Sequence, residues 1–267
     1  GEDIRGYLAI ARGQEKPPEG VERDEYMFRR STNANPFPSM MGRVCPAPCQ
    51  DGCNRNDVED FVGINAVEQY IGDSAIANGY AFTAGPDIAK KVAVIGGGPA
   101  GMSAAYQLRR LGYGVTIFDE NEHLGGMMRD KLDAELNRIV DMGVDLRLKT
   151  RVGRDVSVAD VEKEFDALLW ALGCQSGRGL PVPGWEGTPN CVTGVAFLKA
   201  FNEGRMKVTA EKVVCIGGGD TSIDVVSVAR RLGHVKNQNP TDRPELVVQD
   251  GYVAHDAAVT AAAQGSE

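Results

Sequence analysis

Two glycine-rich stretches, each directly behind an apolar run, are the residues of this chain best suited to chemistry: Val92-Ala93-Val94-Ile95-Gly96-Gly97-Gly98-Pro99-Ala100-Gly101 and Val213-Val214-Cys215-Ile216-Gly217-Gly218-Gly219-Asp220-Thr221-Ser222. Glycines in this setting let the backbone turn tightly and approach a pyrophosphate at a helix N-terminus, where free N–H groups and the helix dipole favour negative charge. The apolar runs read as buried parallel strands. One such loop implies a dinucleotide site; two imply that electrons pass between two dinucleotides.

The first loop has the fuller context. Gly96, Gly98, Pro99, Ala100 and Gly101 open a helix through Leu111, and the strand Val115-Thr116-Ile117-Phe118 ends on Asp119, about 20 residues beyond the glycines, where a ribose-binding carboxylate belongs. Gly125-Gly126 follows, and this acid-x5-Gly-Gly pattern resembles the extension found in FAD-binding two-dinucleotide flavoproteins. Phe165 through Gly173 resembles the strand and Ala-Thr-Gly turn with which those proteins return toward the flavin, so Ala171, Leu172 and Gly173 are expected beside it. Leu172 stands where Thr is usual, so that turn lacks a hydroxyl. Glu120, Arg129 and Val152 complete the expected FAD-binding set.

In the second loop Ser222 replaces the third glycine of the fingerprint. In resembling enzymes such a stretch holds NAD(P)H, which places Gly218, Gly219, Asp220 and Thr221 along a pyrophosphate. No further strand is legible beyond this loop, so the residue that separates NAD from NADP is not identified. An insertion is expected from Gly233 to Gly251, and an Ala-rich helix from His255 to Gln264.

Upstream, Cys45, Cys49 and Cys53 recur every fourth residue among prolines. Thiolates so placed suit soft iron; zinc or structural thiols are the alternatives, although the spacing is not that of a zinc knuckle. Asn35-Pro36-Phe37-Pro38, Gly42-Arg43-Val44-Cys45-Pro46, the two glycine loops and their order together resemble the glutamate synthase small-subunit family of iron–sulfur flavoproteins, including its sulfite-reductase-associated type. The resemblance implies [4Fe–4S] clusters beside the flavin, with Cys45 and Cys49 on one cluster, Cys53 on another, and Glu68 at the position of a non-cysteine ligand.

The family's upstream cysteine stretch, its Tyr-Gly-Ile-Pro segment between Arg129 and Asp130 and its final Gly-Asp motif are not found. These absences imply that the 267 residues come from a longer polypeptide, with residues missing at the Arg129-Asp130 junction.

The expected fold class is α/β: two Rossmann-like three-layer dinucleotide-binding domains, for FAD over 86–190 and for NAD(P) over 191–267, preceded by an α-helical iron–sulfur domain over 1–85. A length of 267 residues accommodates several domains, and 42% hydrophobic with 25% charged residues is a globular composition. A net charge of −8 argues against a nucleic-acid partner. Neither a membrane span nor a secretory leader is visible, which points to a cytoplasmic location.

The expected cofactors are FAD, NAD(P)H and [4Fe–4S] clusters. The expected partner is a protein electron acceptor or appended ferredoxin-like domain, in an oligomer or hetero-complex. A glutamate synthase small subunit, a flavoenzyme without iron–sulfur and a catalytically incomplete scaffold are the alternatives. No side chain is assigned an acid–base role, and His123, His234 and His255 read as surface or loop residues. Cys174, Cys191 and Cys215 read as buried thiols.

Overall fold

A computed structural model describes residues 2–126, 133–185, 188, 191–208, 212–231, 246–248 and 259–262, and the chain divides into two compact units, 1–173 and 174–267. Arg129, the Arg129-Asp130 junction and nearly all of the expected 233–251 insertion lie outside the described residues.

The first unit begins with helices. α1 (Ile4–Ala11) starts where Asp3 caps it by accepting the Gly6 N–H at 3.0 Å. α2 (Arg23–Ser31), α3 (Pro38–Val44), the one-turn α4 (Pro48–Asp51), a 3-10 turn at Asn54–Asp57 and α5 (Ile64–Ala77) follow. α3 and α5 cross closely, and glycines permit it. A Cβ on Gly72 would lie 1.9 Å from the Ser39 nitrogen, and one on Gly42 would lie 2.5 Å from the Gln69 nitrogen.

Strands and helices then alternate: β1 (Lys91–Ile95), α6 (Pro99–Arg110), β2 (Gly114–Phe118), α7 (Asp133–Val140), β3 (Val144–Arg147), α8 (Val158–Glu164) and β4 (Ala167–Trp170). All four strands pair in parallel in the order β3-β2-β1-β4. β1 is central and has Val92 through Ile95 buried, as its uninterrupted apolar run predicts for a strand covered on both faces.

The helical segment shares a core with this sheet. Phe37 and Met40 belong to the apolar cluster of Val92, Val94, Met102, Tyr106, Ile117 and Ile139. Polar contacts cross the same boundary: the Tyr106 hydroxyl donates to the Thr32 carbonyl at 2.7 Å, and Glu135 of α7 accepts the Ser39 and Met40 N–H groups at 2.8 and 2.9 Å. Cysteine loop and glycine loop are therefore held within one unit.

The second unit contains α9 (Gly194–Asn202), β5 (Met206–Val208), β6 (Lys212–Cys215), α10 (Asp220–Arg231), β7 (Leu246–Val248) and β8 (Val259–Ala262). β5 pairs with β7 in parallel and β6 with β8 antiparallel. The second unit departs from the sequence expectation in two respects. Strands do follow the second glycine loop, and residues 259–262 of the expected Ala-rich helix form a strand. Alanine's intrinsic helix preference is outweighed by a sheet edge at β6, whose Cys215 and Val214 stand opposite Val259 and Thr260, both β-branched.

Candidate functional site

The loop after β1 is shaped by contacts that leave no room for side chains. Gly96 has φ of 111° and donates its N–H to the Phe118 carbonyl at 2.7 Å, while a Cβ on it would stand 2.3 Å from the Ala171 oxygen. A Cβ on Gly101 would stand 1.9 Å from the Gly96 oxygen, which fixes α6 close against β1. Gly98 differs. It has φ of −74°, and the nearest atom to an added Cβ is the Gly126 Cα at 3.9 Å, so the protein itself does not require glycine there. Gly98 is also the N-cap of α6 and offers no capping side chain, which leaves first-turn N–H groups of Ala100 and Gly101 for a ligand.

Gly125 and Gly126 close over this turn, with φ of 98° and 59°; the Gly125 N–H donates to the Gly97 carbonyl at 2.8 Å. Asp119, at the end of β2, accepts the Gly97 N–H at 2.7 Å and both the backbone and side-chain amides of Asn121 at 2.8 and 2.9 Å. Glu120 pairs with Arg151 at 3.2 Å, and Val152 bridges to Val156 and packs beside Phe118 and Phe165. Ala171 donates to the Ile95 carbonyl at 2.8 Å, Leu172 is exposed, and Gly173 has φ of 68°. The structure thus brings Gly96, Gly98, Gly101, Asp119, Gly125, Gly126 and Ala171 around one turn, with Glu120 and Val152 next to it.

In the second unit Gly217 has φ of 120°, and a Cβ on it would meet the Ser222 Oγ at 2.9 Å. A Cβ on Gly218 or Gly219 would meet nothing within 4 Å, so the backbone is open on its outer side. Ser222 replaces the third glycine without obstruction, unlike the situation at Gly101. Asp220 and Thr221 form the first turn of α10. Cys215 is buried at the strand end, as expected; Cys191 is half-buried, and Cys174, contrary to the sequence reading, is exposed.

The three upstream cysteines lie on a loop tied to the N-terminus of α5. The Asn65 side chain donates to the Cys45 carbonyl at 3.0 Å, and the Asn65 N–H donates to the Gln50 side chain at 2.8 Å. Ala47, with φ of 54°, turns the chain so that its N–H reaches the Cys45 Sγ at 3.4 Å. All three thiols are free, and among the described residues no three Cys, His, Asp or Glu side chains converge on a position for a single metal ion. Cys49 is exposed and Cys45 and Cys53 are half-buried; partial desolvation first, then the neighbouring Cys45, raises the Cys49 thiol above its ordinary range, while N–H groups of Cys49 and Gln50 oppose this. N–H groups directed at sulfur, on free thiols spread along a loop, fit a multi-iron cluster held by thiolates better than one ion.

Glu68 is not a solvated carboxylate. It is 6% exposed, accepts from the Asn35 side-chain amide, and is pushed up to about 7 by burial and then by the neighbouring Glu2. Sequence reasoning missed two further buried groups. Glu135 is fully buried, and burial pushes it up to about 7 against the Ser39 and Met40 N–H groups and Arg138. Arg138 lies over the rings of Phe28 and Phe82, 4.9 and 5.4 Å from their centroids. The signal was faint: two charged residues at helical spacing within an otherwise amphipathic segment.

Comparison with known proteins gives the family. Residues 59–161 and 90–264 match the pyridine nucleotide-disulphide oxidoreductase family, and residues 22–80 match dihydropyrimidine dehydrogenase domain II, 4Fe-4S cluster. The NADPH-Fe(3+) oxidoreductase subunit beta of Geobacter sulfurreducens is 35% identical over 229 residues, which cover 78% of this chain and 34% of that protein. The glutamate synthase [NADPH] small chain of Mycobacterium tuberculosis is 34% identical over 225 residues, covering 75% and 46%. The NAD-dependent dihydropyrimidine dehydrogenase subunit PreT of Salmonella typhimurium is 32% identical over 213 residues, covering 74% and 51%.

The chain thus spans about a third to a half of the length of these relatives. Among the described residues no helix is long and apolar enough to cross a membrane. FAD and NAD(P)H for the larger match, and a [4Fe–4S] cluster for residues 22–80, are the cofactors expected from the sequence. With matches that extend over most of its length, the chain belongs to the pyridine nucleotide-disulphide oxidoreductase family.

Proposed function

We propose that this chain is the input end of an NAD(P)H-dependent electron-transfer oxidoreductase, with FAD and a [4Fe–4S] cluster in the unit of residues 1–173 and NAD(P)H in the unit of residues 174–267. The observation that carries this reading is the contrast among glycines. Gly96 and Gly101 are required by the protein's own packing, whereas Gly98, Gly218 and Gly219 have open space where a pyrophosphate would approach. In this reading 1–85, 86–190 and 191–267 are the cluster, flavin and nicotinamide segments, the flavin segment running past the end of the first unit at Gly173.

Gly96, Gly98, Pro99, Ala100 and Gly101 form the turn and helix terminus that face the FAD pyrophosphate, with the Ala100 and Gly101 N–H groups as donors, and Gly125-Gly126 lets the chain pass close over it. Asp119 and Glu120 accept ribose hydroxyls, Val152 packs against the adenine side, and Ala171, Leu172 and Gly173 border the flavin. Arg129 belongs to the same site by sequence position. Gly218, Gly219, Asp220 and Thr221 hold the NAD(P)H pyrophosphate. Cys45, Cys49 and Cys53 supply thiolates, with Glu68 as the non-cysteine ligand.

The bound cofactors supply hydride transfer and then single-electron transfer, while the protein orients them and tunes their potentials. No side chain is needed as a general acid or base. The electron acceptor is a protein partner or appended ferredoxin-like domain within a hetero-complex. The relatives named as a subunit beta, a small chain and a subunit PreT support this. A cytoplasmic location accords with the need to keep these thiols reduced.

The test is cluster content. Full-length protein purified without oxygen should contain iron and acid-labile sulfide, and Cys49→Ser should lose more than about half of both while keeping its flavin, because one of the few thiolate ligands is removed. Equal iron in the wild type and the variant would overturn the assignment of Cys49.

A further inference from the structure

Tyr7 is fully buried, yet among the described residues its hydroxyl makes no hydrogen bond. Leaving a buried hydroxyl unmade costs about 1–3 kcal/mol, so such a group calls for an explanation. Its surroundings give one. Tyr7 on α1 packs in one apolar cluster with Ile64 and Ile71 of α5, and Glu68 lies between those two at helical spacing, on the same buried face.

The polar groups at that face have partners. Glu68 accepts from Asn35, Glu2 accepts the Ser31 hydroxyl at 3.0 Å, and Asn65 on the first turn of α5 ties down the Cys45 carbonyl. Burial first, and then the neighbouring acidic groups Glu2 and Glu68, push the Tyr7 phenol far above its ordinary range. It therefore keeps its proton and remains a donor at every physiological pH. The donor packs on the α5 face that carries Glu68, and the first turn of the same helix holds the cysteine loop through Asn65.

We propose that Tyr7 is a positioning residue for the redox centre: its hydroxyl donates a hydrogen bond to a sulfur of the [4Fe–4S] cluster held by the Cys45–Cys53 loop, and so raises the cluster's reduction potential. This rests on the cluster assignment proposed above. The reduced cluster carries one more negative charge than the oxidised one, so a donor at sulfur stabilises it more. No proton is transferred, and no covalent bond forms or breaks.

The test is a potentiometric titration, followed by electron paramagnetic resonance, of full-length wild type and Tyr7→Phe, with iron and sulfide measured on both. The variant is expected to keep its iron while its one-electron equilibrium shifts roughly threefold to tenfold toward the oxidised state, a midpoint lower by about 30 to 59 mV. Ile10→Val, in the same apolar cluster, should leave the midpoint in place. If Tyr7→Phe loses its cluster, 3,5-difluorotyrosine at position 7, a stronger donor of nearly the same shape, must instead raise the midpoint. An unchanged midpoint in the iron-replete Phe or difluorotyrosine protein overturns the proposal alone. Absence of iron and sulfide from the wild type overturns the cluster assignment on which it rests.

Discussion

Gly98→Ala is expected to leave the protein folded and to weaken its hold on the flavin. The added methyl meets no protein atom closer than 3.9 Å, and φ of −74° suits any L-residue, so apoprotein stability should fall by no more than about 1 kcal/mol, the usual cost of alanine at a helix N-cap. The same methyl lies where a pyrophosphate must approach the backbone. Forcing a methyl into a close contact costs about 1–3 kcal/mol, which corresponds to roughly fivefold to a hundredfold weaker FAD binding. Gly101→Ala is the complement: its Cβ would stand 1.9 Å from the Gly96 oxygen, so both folding and flavin binding should suffer. Flavin per polypeptide, read after denaturation, with thermal unfolding of the apoproteins, separates the two. Normal FAD binding by Gly98→Ala would remove the assignment of that glycine.

Glu135→Ala should be the most destabilising single change in the first unit. It leaves the Ser39 and Met40 N–H groups without an acceptor and Arg138 without its carboxylate, all in a buried setting, and about 3 kcal/mol or more is expected. Because those N–H groups open α3 and α3 ends one residue before Cys45, iron content should fall as well.

Glu135→Gln isolates the charge. With the folded carboxyl pushed up to about 7 from an ordinary 4.5, the native state binds more protons than the unfolded state between those values. The stability contributed by the protonated form is therefore present below about 4.5 and lost as pH rises through about 7. Urea unfolding should show wild type losing stability relative to Glu135→Gln from about pH 5 to about pH 7, by at most about 1.4 kcal/mol per unit. Parallel pH profiles would contradict the burial of this carboxylate in the folded protein.

What the sequence discloses about this protein is mostly local. Gly96 to Gly101 behind β1, Asp119 at the end of β2 and the parallel strands that join them follow from spacing alone, because each lies within one strand-turn-helix unit. Glu135 and Tyr7 were not legible. Glu135 meets Ser39 across 96 positions in sequence, and a buried glutamate in a helical pattern looks the same as an exposed one.

Glu68 was placed by its position in a motif, yet only packing shows that it is buried against Asn35 and Glu2. Residues 259–262 look helical in the sequence because alanine's preference is visible there and the partner strand β6, more than 40 residues away, is not. The cysteine spacing left the metal open, and the loop's N–H contacts to sulfur are visible only in the fold.

The central claim is that two nucleotide cradles work in series, and one measurement tests it most directly. Full-length protein should be titrated with NADH and with NADPH under anaerobic conditions while the flavin absorbance near about 450 nm is followed. At least one of the two coenzymes should bleach that band stoichiometrically. A flavin-replete protein whose band is unmoved by either would contradict the account.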